Sequence, residues 1–585
     1  MSSDRDLRLE RDHEARRLAQ SEFGRPLMVV AGAGTGKTSL LVTRAVAWLV
    51  GEGWRRHEEA GRGPDEVARR VVERVVAITF TEAAAAEMAE RVVGALEALS
   101  RSESPVGWLE AEGTAPRDET AGRARRLLDE VHRLRVQTIH AFCQALLAEH
   151  PLEAGLHPRL EVDADLSRVE AMVDELVEGA LRSLAAAGAG DEDWRRLAER
   201  GLGPAEVADG LRALVAAGVD PADLAGDPFA PEAAAAIGDR LRAAVAAFES
   251  AGGGPLERVK ARRTASAAGA LLALGRALEG LAPATFDGLA ALAAEVDRGD
   301  LSRLQDWARG RFNQTERCRI RDTAAELAAA AAAAHSELRG LCGLDREGHL
   351  AARRTLAPLL SEVRRAMAVR GLLTYDDLLT GAARLLQVEP SVRRRLRASI
   401  DQLLVDEFQD TDAVQCRIVD GLALGDGPRP GLFVVGDPKQ SIYGFRRADL
   451  AAYDDFRDRL AAAGGEELVL GRNFRSVQPI LDEVERVVAP VMGEARGLQP
   501  AFEPLEATEE RARSSGFDHP PWTAVEHWVC WPAEGGGPPA PPGRGLEAAL
   551  RLEAETVARD LVRLHEEAAM PWGDAALLLR STTRQ

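Results

Sequence analysis

Two short segments carry residue types that can do chemistry on a phosphate. Residues 31–38 read Ala-Gly-Ala-Gly-Thr-Gly-Lys-Thr, and residues 405–411 read Val-Asp-Glu-Phe-Gln-Asp-Thr. In the first, Gly32, Gly34 and Gly36, with Ala31, Ala33 and Thr35 between them, let backbone N–H groups turn inward around an anion. Lys37 then reaches the outer phosphates and Thr38 offers its hydroxyl to Mg²⁺, the arrangement of a P-loop that binds ATP. The general pattern has glycine where Ala31 stands, and the three remaining glycines still supply the turn. In the second segment, Asp406 is placed to hold Mg²⁺, directly or through water. Glu407 is placed to take a proton from the water that attacks the γ-phosphate. The readings without chemistry are a Gly-rich linker and an exposed acidic turn after a strand. The flanking strand and helix argue against the first, and the P-loop elsewhere in the chain argues against the second.

Composition singles out Lys37. Of 74 basic residues only Lys37, Lys260 and Lys439 are lysine. A compact ammonium suits a phosphate cradle where a broad guanidinium does not. Lys439 belongs to a further motif, Gly436-Asp437-Pro438-Lys439-Gln440-Ser441, in which the uncharged amide of Gln440 could report the presence of a γ-phosphate. The continuation Ile442-Tyr443-Gly444-Phe445-Arg446-Arg447 interleaves aromatics with arginine. That suits a single-strand groove, where bases stack on rings and guanidinium groups meet phosphates, although core aromatics in an ordinary turn would give the same letters. The same two readings apply to Thr138-Ile139-His140-Ala141-Phe142, where a lone His is more often a hydrogen-bonded structural residue.

These segments need strands and helices to hold them. Leu27-Met28-Val29-Val30 reads as a buried parallel strand and Ser39-Leu40-Leu41-Val42 as the start of a helix. Val75-Val76-Ala77-Ile78 leads into a helix over Glu82 to Val93, and Leu403-Leu404-Val405 and Leu432-Phe433-Val434-Val435 are further buried strands. This alternation predicts an α/β domain with a parallel sheet. From about Leu160 to Arg370 the strand signal disappears into Ala, Leu, Arg and Glu with helical periodicity, including Ala324 to Ala334, so an all-helical insertion is expected. Beyond about Pro490 the signal weakens. Glu534 to Gly545 reads as a flexible loop, followed by a helix from Leu546 to about Glu566 and a strand over Ala575 to Arg580.

The chain has 585 residues and a net charge of −19. That length implies several domains, and the acidity excludes a globally basic surface without excluding a local nucleic-acid groove. Cys143, Cys318, Cys342, Cys416 and Cys530 are isolated from one another, without metal-ligand spacing, so reduced thiols are expected. The N-terminus lacks an apolar core and no segment has the bulky apolar run of a membrane span. The expectation is a cytoplasmic protein with no membrane partner.

Together with Ile78 to Met88, Tyr375-Asp376-Asp377-Leu378-Leu379 and Asn473-Phe474-Arg475-Ser476, these segments resemble the ordered motifs of UvrD-type superfamily-one helicases, and within them the AddA/RecB recombination branch. The resemblance implies a RecA-like motor domain formed by residues 1–155 and 371–490, a helical insertion at 156–370, and a linker with the beginning of a second RecA-like domain at 491–585. It implies ATP-driven 3′ to 5′ translocation on single-stranded DNA and duplex ends in recombination and double-strand break repair, beside an AddB/RecC-like partner subunit. By motif position Phe474 stacks on adenine, Arg475 contacts the γ-phosphate, and Gln440 couples the nucleotide to a groove lined by Phe80, Thr81, Thr138, His140, Tyr443, Phe445 and Arg446. His13 lies near the place where the family has an adenine-reading Gln. The family's second-domain motifs, including an arginine completing the ATP site, have no counterpart before Gln585, so a truncated motor is expected. Two alternatives stand beside this reading: a non-motor ATP- and DNA-binding subunit, and a P-loop ATPase that acts on something other than DNA.

Overall fold

The computed structural model describes residues 2–105, 107–108, 117–187, 191–281, 284–320, 323–444, 447–493, 495–514, 522–527 and 546–578. The chain divides into two compact units, one formed by Met1–Gly155 with Leu378–Gln585 and the other by Leu156–Asp377.

The first unit is built on a six-stranded sheet of β1 (Leu27–Ala31), β2 (Val75–Thr79), β3 (Arg135–Thr138), β4 (Gln402–Val405), β5 (Gly431–Gly436) and β6 (Glu466–Leu470), in the order β3-β2-β4-β5-β1-β6. Every neighbouring pair is parallel. A parallel strand covered on both faces reads as a near-continuous apolar run, and β1, β2 and β4 are buried at every position, Thr79 and Gln402 being their only polar members. The edge strands β3 (Arg-Val-Gln-Thr) and β6 (Glu-Glu-Leu-Val-Leu) lack that run. Helix α1 (Ser2–Ser21) buries Ala15 and Ala19, and α2 (Lys37–Val50) follows β1. In α2, Arg44 is fully buried. Its guanidinium lies over the rings of Phe23 (4.8 Å) and Phe433 (4.4 Å) and donates to the Ala19 carbonyl at 2.6 Å. Burial lowers its pKa to about 9.

Helices α3 (Glu82–Ser100) and α4 (Ile139–Glu149) follow β2 and β3. The hydroxyls of Thr81 and Thr138 cap them, accepting from the N–H groups of Ala84 and Ala141 at 3.1 and 3.2 Å. The expected helix after residue 545 is present as Leu546–Ala568. The strand expected over Ala575–Arg580 is not formed at 575–578, where Leu577 and Leu578 are 65% and 97% exposed. A leucine run becomes a strand only beside a strand that shares its hydrogen bonds, and none among the described residues pairs with it. Residues 579–580 and the 534–545 loop lie outside the described residues.

Among its described residues the second unit is largely helical, with two apolar cores. One gathers Phe248, Leu271, Trp307 and Leu338, and the other Val173, Leu211, Leu360 and Val363. The expected helix at Ala324 to Ala334 runs as Ala324–Cys342. The unit is not wholly helical as expected: Glu161–Val162 pairs in parallel with Leu372–Leu373. Chain entry and exit run side by side there, and a two-residue ladder satisfies backbone groups that loops would leave open. Among the described residues no helix is long and apolar enough to cross a membrane.

Candidate nucleotide site

Because all six strands run the same way, the segments that follow them emerge at one edge of the sheet, where open α/β sheets bind ligands. The register pairs Val30 with Gly436, Ile78 with Val405, and Ala31 with Leu470. The P-loop, Phe80, Thr138, Asp406, Asp437 and the 471–476 segment are thereby delivered to the same edge.

The P-loop is tied shut from outside. Asn473 donates its amide to the Ala33 carbonyl at 2.6 Å, and the Phe474 N–H donates to the Gly34 carbonyl at 2.8 Å. Gly34 has φ +76°, and a Cβ there would lie 2.8 Å from Arg475 Cβ, so only glycine admits this approach. Inside the loop, Thr35 is buried and its hydroxyl donates to the Gly32 carbonyl at 2.8 Å. Gly36, with φ +83°, precedes α2 without any side-chain cap.

Lys37 Nζ lies 3.2 Å from Glu407 Oε2. Glu407 itself has φ +49°, a left-handed backbone that a non-glycine residue rarely adopts. Asp406 Oδ1 accepts the Glu407 N–H at 2.9 Å, and burial together with the Glu407 charge pushes Asp406 up to about 6. The same two causes raise Asp410 to about 6. Among the described residues no cluster of three or more His, Cys, Asp or Glu could enclose a metal ion. Thr38 opens α2 and Asp406 follows β4, and their hydroxyl and carboxylate oxygens are of the kind that magnesium takes when phosphates supply the rest. A carboxylate strained toward its neutral form is one that a nearby cation would restore to the ion. The residues fit the metal.

Gln440 does not touch Glu407 directly. Its amide donates to Asp437 Oδ2 at 2.7 Å, and the Asp437 N–H donates to Gln409 Oε1 at 2.8 Å. Phe474 is 48% exposed beside the P-loop, and Arg475 is exposed next to it. On the β2 side, Phe80 stacks on Tyr443 with centroids 5.3 Å apart and planes at 27°. Thr138 donates to Glu82 Oε1 at 2.9 Å besides capping α4, and His140 lies in the first turn of that helix. Phe445 and Arg446 lie outside the described residues.

Residues that no motif role marked complete the site. His13 is exposed on α1, whereas Asp12 and Arg16 face the loop. Arg16 is held by Asp12 at 2.7 Å, donates to the Thr35 carbonyl at 2.9 Å, and sits 5.1 Å over the Phe474 ring. Asp12 also accepts the N–H groups of Gly471 and Arg472, both at 3.0 Å. The i, i+4 spacing of Asp12 and Arg16 was the available signal.

A parallel sheet with a glycine loop, a following helix and an acidic pair after a neighbouring strand defines a P-loop nucleotide-binding protein. The model of the UvrD/REP helicase N-terminal domain matches residues 12–461. The chain belongs to that family. An ATP-dependent helicase/nuclease subunit from Desulforudis audaxviator is 30% identical over 623 aligned residues, covering 95% of this chain and 47% of that protein. One of the same description from Geobacillus thermodenitrificans is 28% identical, covering 81% and 39%. The RecBCD enzyme subunit RecB of Mycolicibacterium smegmatis is 39% identical over 166 residues, covering 28% and 14%. The chain thus spans about half the length, or less, of these curated relatives.

Proposed function

We propose that this chain is the ATP-hydrolysing motor portion of a DNA helicase of the AddA/RecB type, moving 3′ to 5′ along single-stranded DNA in recombination and double-strand break repair. The observation that carries the reading is the Lys37–Glu407 pair at the mouth of the P-loop, beside a second loop whose Tyr443 stacks on Phe80. An ATPase acting on something other than DNA has no need of that aromatic pair. The names of the relatives, which are helicase/nuclease subunits and the RecBCD subunit RecB, support both the chemistry and a partner of AddB/RecC type. In this reading residues 1–155 and 371–490 form one motor domain interrupted by 156–370, and 491–585 opens a second.

The P-loop N–H groups and Lys37 bind the phosphates. Thr38 and Asp406 would hold Mg²⁺, which neutralises phosphate charge when bound. Glu407 takes the proton of the attacking water, Arg475 meets the γ-phosphate, and the base lies on Phe474 beside Arg16. Gln440 links the nucleotide to a strand groove of Phe80, Thr81, Thr138, His140, Tyr443, Phe445 and Arg446. Since the Thr81 and Thr138 hydroxyls already cap helices, these two contribute backbone and methyl surface there.

The test is ATP hydrolysis with and without single-stranded DNA, in the parent and in Glu407→Gln. DNA-stimulated turnover that the variant loses is the expected result. Turnover indifferent to both DNA and the substitution would sink the assignment.

A further inference from the structure

Gln409, between the acidic pair and Asp410, is 2% exposed and uses its whole amide. Its Oε1 accepts the Asp437 N–H at 2.8 Å, and its Nε2 donates to Glu407 Oε2 at 2.8 Å and to Asp410 Oδ2 at 3.2 Å. The amide can point only one way. A flip would set its NH₂ against the Asp437 N–H and its oxygen against two carboxylates. The fold makes room for it at Gly436, where a Cβ would come within 2.7 Å of the amide oxygen. The Ser441 hydroxyl adds a hydrogen bond to the Gln409 carbonyl at 3.1 Å.

This side chain therefore bridges the loops that follow β4 and β5. On one side, Glu407 Oε2 receives two donors, Lys37 Nζ at 3.2 Å and Gln409 Nε2 at 2.8 Å. A polyphosphate in the P-loop attracts the ammonium, whereas the amide stays, because its other end is fixed to the backbone of Asp437. On the other side, Asp437 carries Gln440 on Oδ2 at 2.7 Å, three residues before Tyr443 on Phe80. A displacement of the 437–443 loop by a bound strand pulls on the Gln409 oxygen and so on the carboxylate that its nitrogen holds. A change at Glu407 runs the same path in reverse, as any coupling of two binding sites must.

We propose that Gln409 is a positioning residue that aims Glu407 and couples the nucleotide site to the Phe80–Tyr443 surface. The inference rests on the functional reading above.

The experiment measures binding of a fluorescent oligothymidylate with and without ATPγS, together with ATPγS affinity without DNA, in the parent, Gln409→Met and Gln409→Glu. Met keeps the volume and removes every hydrogen bond. Glu keeps an acceptor for the Asp437 N–H and removes both donors. In the parent, ATPγS is expected to change strand affinity by about tenfold. Both variants should bring that ratio to within about twofold of one, with ATPγS affinity changed by less than about threefold, a pattern that loss of packing alone does not give. A parental ratio kept in either folded variant overturns the proposal. So does an ATPγS affinity that falls in step with the ratio, or failure of both variants to fold, since each makes Gln409 a structural link only. A parent without any such ratio overturns the functional reading, and the proposal with it.

Discussion

In the helical unit Glu316 is fully buried, yet its carboxylate takes hydrogen bonds from Arg303, from the Thr264 hydroxyl at 2.5 Å and from the Asn313 N–H at 2.8 Å. At the edge of the parallel sheet, Asp410 is buried almost as deeply, but one of its oxygens has no partner and its other meets only the Gln409 amide. Burial pushes both acids up. At Glu316 the hydrogen bonds from Arg303 and Thr264 outweigh it and the pKa falls, whereas at Asp410 the neighbouring Glu407 adds to it and the pKa reaches about 6. A carboxylate that holds helices together is kept as an ion by surplus donors. The one beside the Lys37–Glu407 pair is left short of them, where a cation or a proton can complete it.

The sharpest way to break the comparison is to remove the satisfied ion. Glu316→Ala leaves the partly buried Arg303 with Asp306 alone, at 3.2 Å, and is expected to cost about 3 kcal/mol in urea unfolding of the helical unit. Replacing both partners, Glu316→Leu with Arg303→Met, should cost less than half of that, and an equal cost would mean packing rather than charge is at stake. Next in size is Lys37→Ala at the unsatisfied site. ATP turnover should fall on the order of 10²–10³-fold with an unchanged circular dichroism spectrum, and phosphate release at the parental rate would remove Lys37 from the chemistry.

The pH dependence of stability should separate the two units in sign. Glu316 has a folded pKa below its unfolded one, so its contribution is present above the unfolded value and is lost as the pH falls through the folded value. For Asp410 the folded group holds its proton up to about pH 6 while the unfolded one, at 3.8, has released it. Stability therefore declines as the pH rises between those values, and the penalty is complete above them. Asp410→Asn should raise stability by about 1–2 kcal/mol at pH 7 and leave it unchanged below the unfolded value, at pH 3, as read from unfolding midpoints. A gain equal at both would trace to something other than charge. The smallest effect belongs to Arg354→Ala, which removes an exposed pair with Asp193. Thermal unfolding should register no resolvable change, and a clear loss would show that the helical unit depends on surface pairs as well as on its buried ones.

The sequence by itself determined the strands that carry an unbroken apolar run, Leu27–Ala31 in β1, Val75–Ile78 in β2, Leu403–Val405 in β4 and Leu432–Val435 in β5, because a strand covered on both faces admits few polar residues. It also placed Lys37, Asp406 and Glu407 after those strands, and the fold sets Lys37 Nζ 3.2 Å from Glu407 Oε2. Edge strands β3 and β6 were not legible in the same way: one open side admits Arg135, Gln137, Glu466 and Glu467, and the apolar run is lost. Leu577 and Leu578 misled for the converse reason, since a run of leucines says nothing of whether a neighbouring strand exists. The tertiary structure alone decided which side chains close the site. The hydrogen bonds of Asn473 to Ala33, Arg16 to Thr35 and Gln409 to Asp437 join residues 440, 19 and 28 positions apart in the chain. Their partners are backbone groups that every residue possesses, so no residue type announces them. Only the parallel register that brings the strand ends to one edge does.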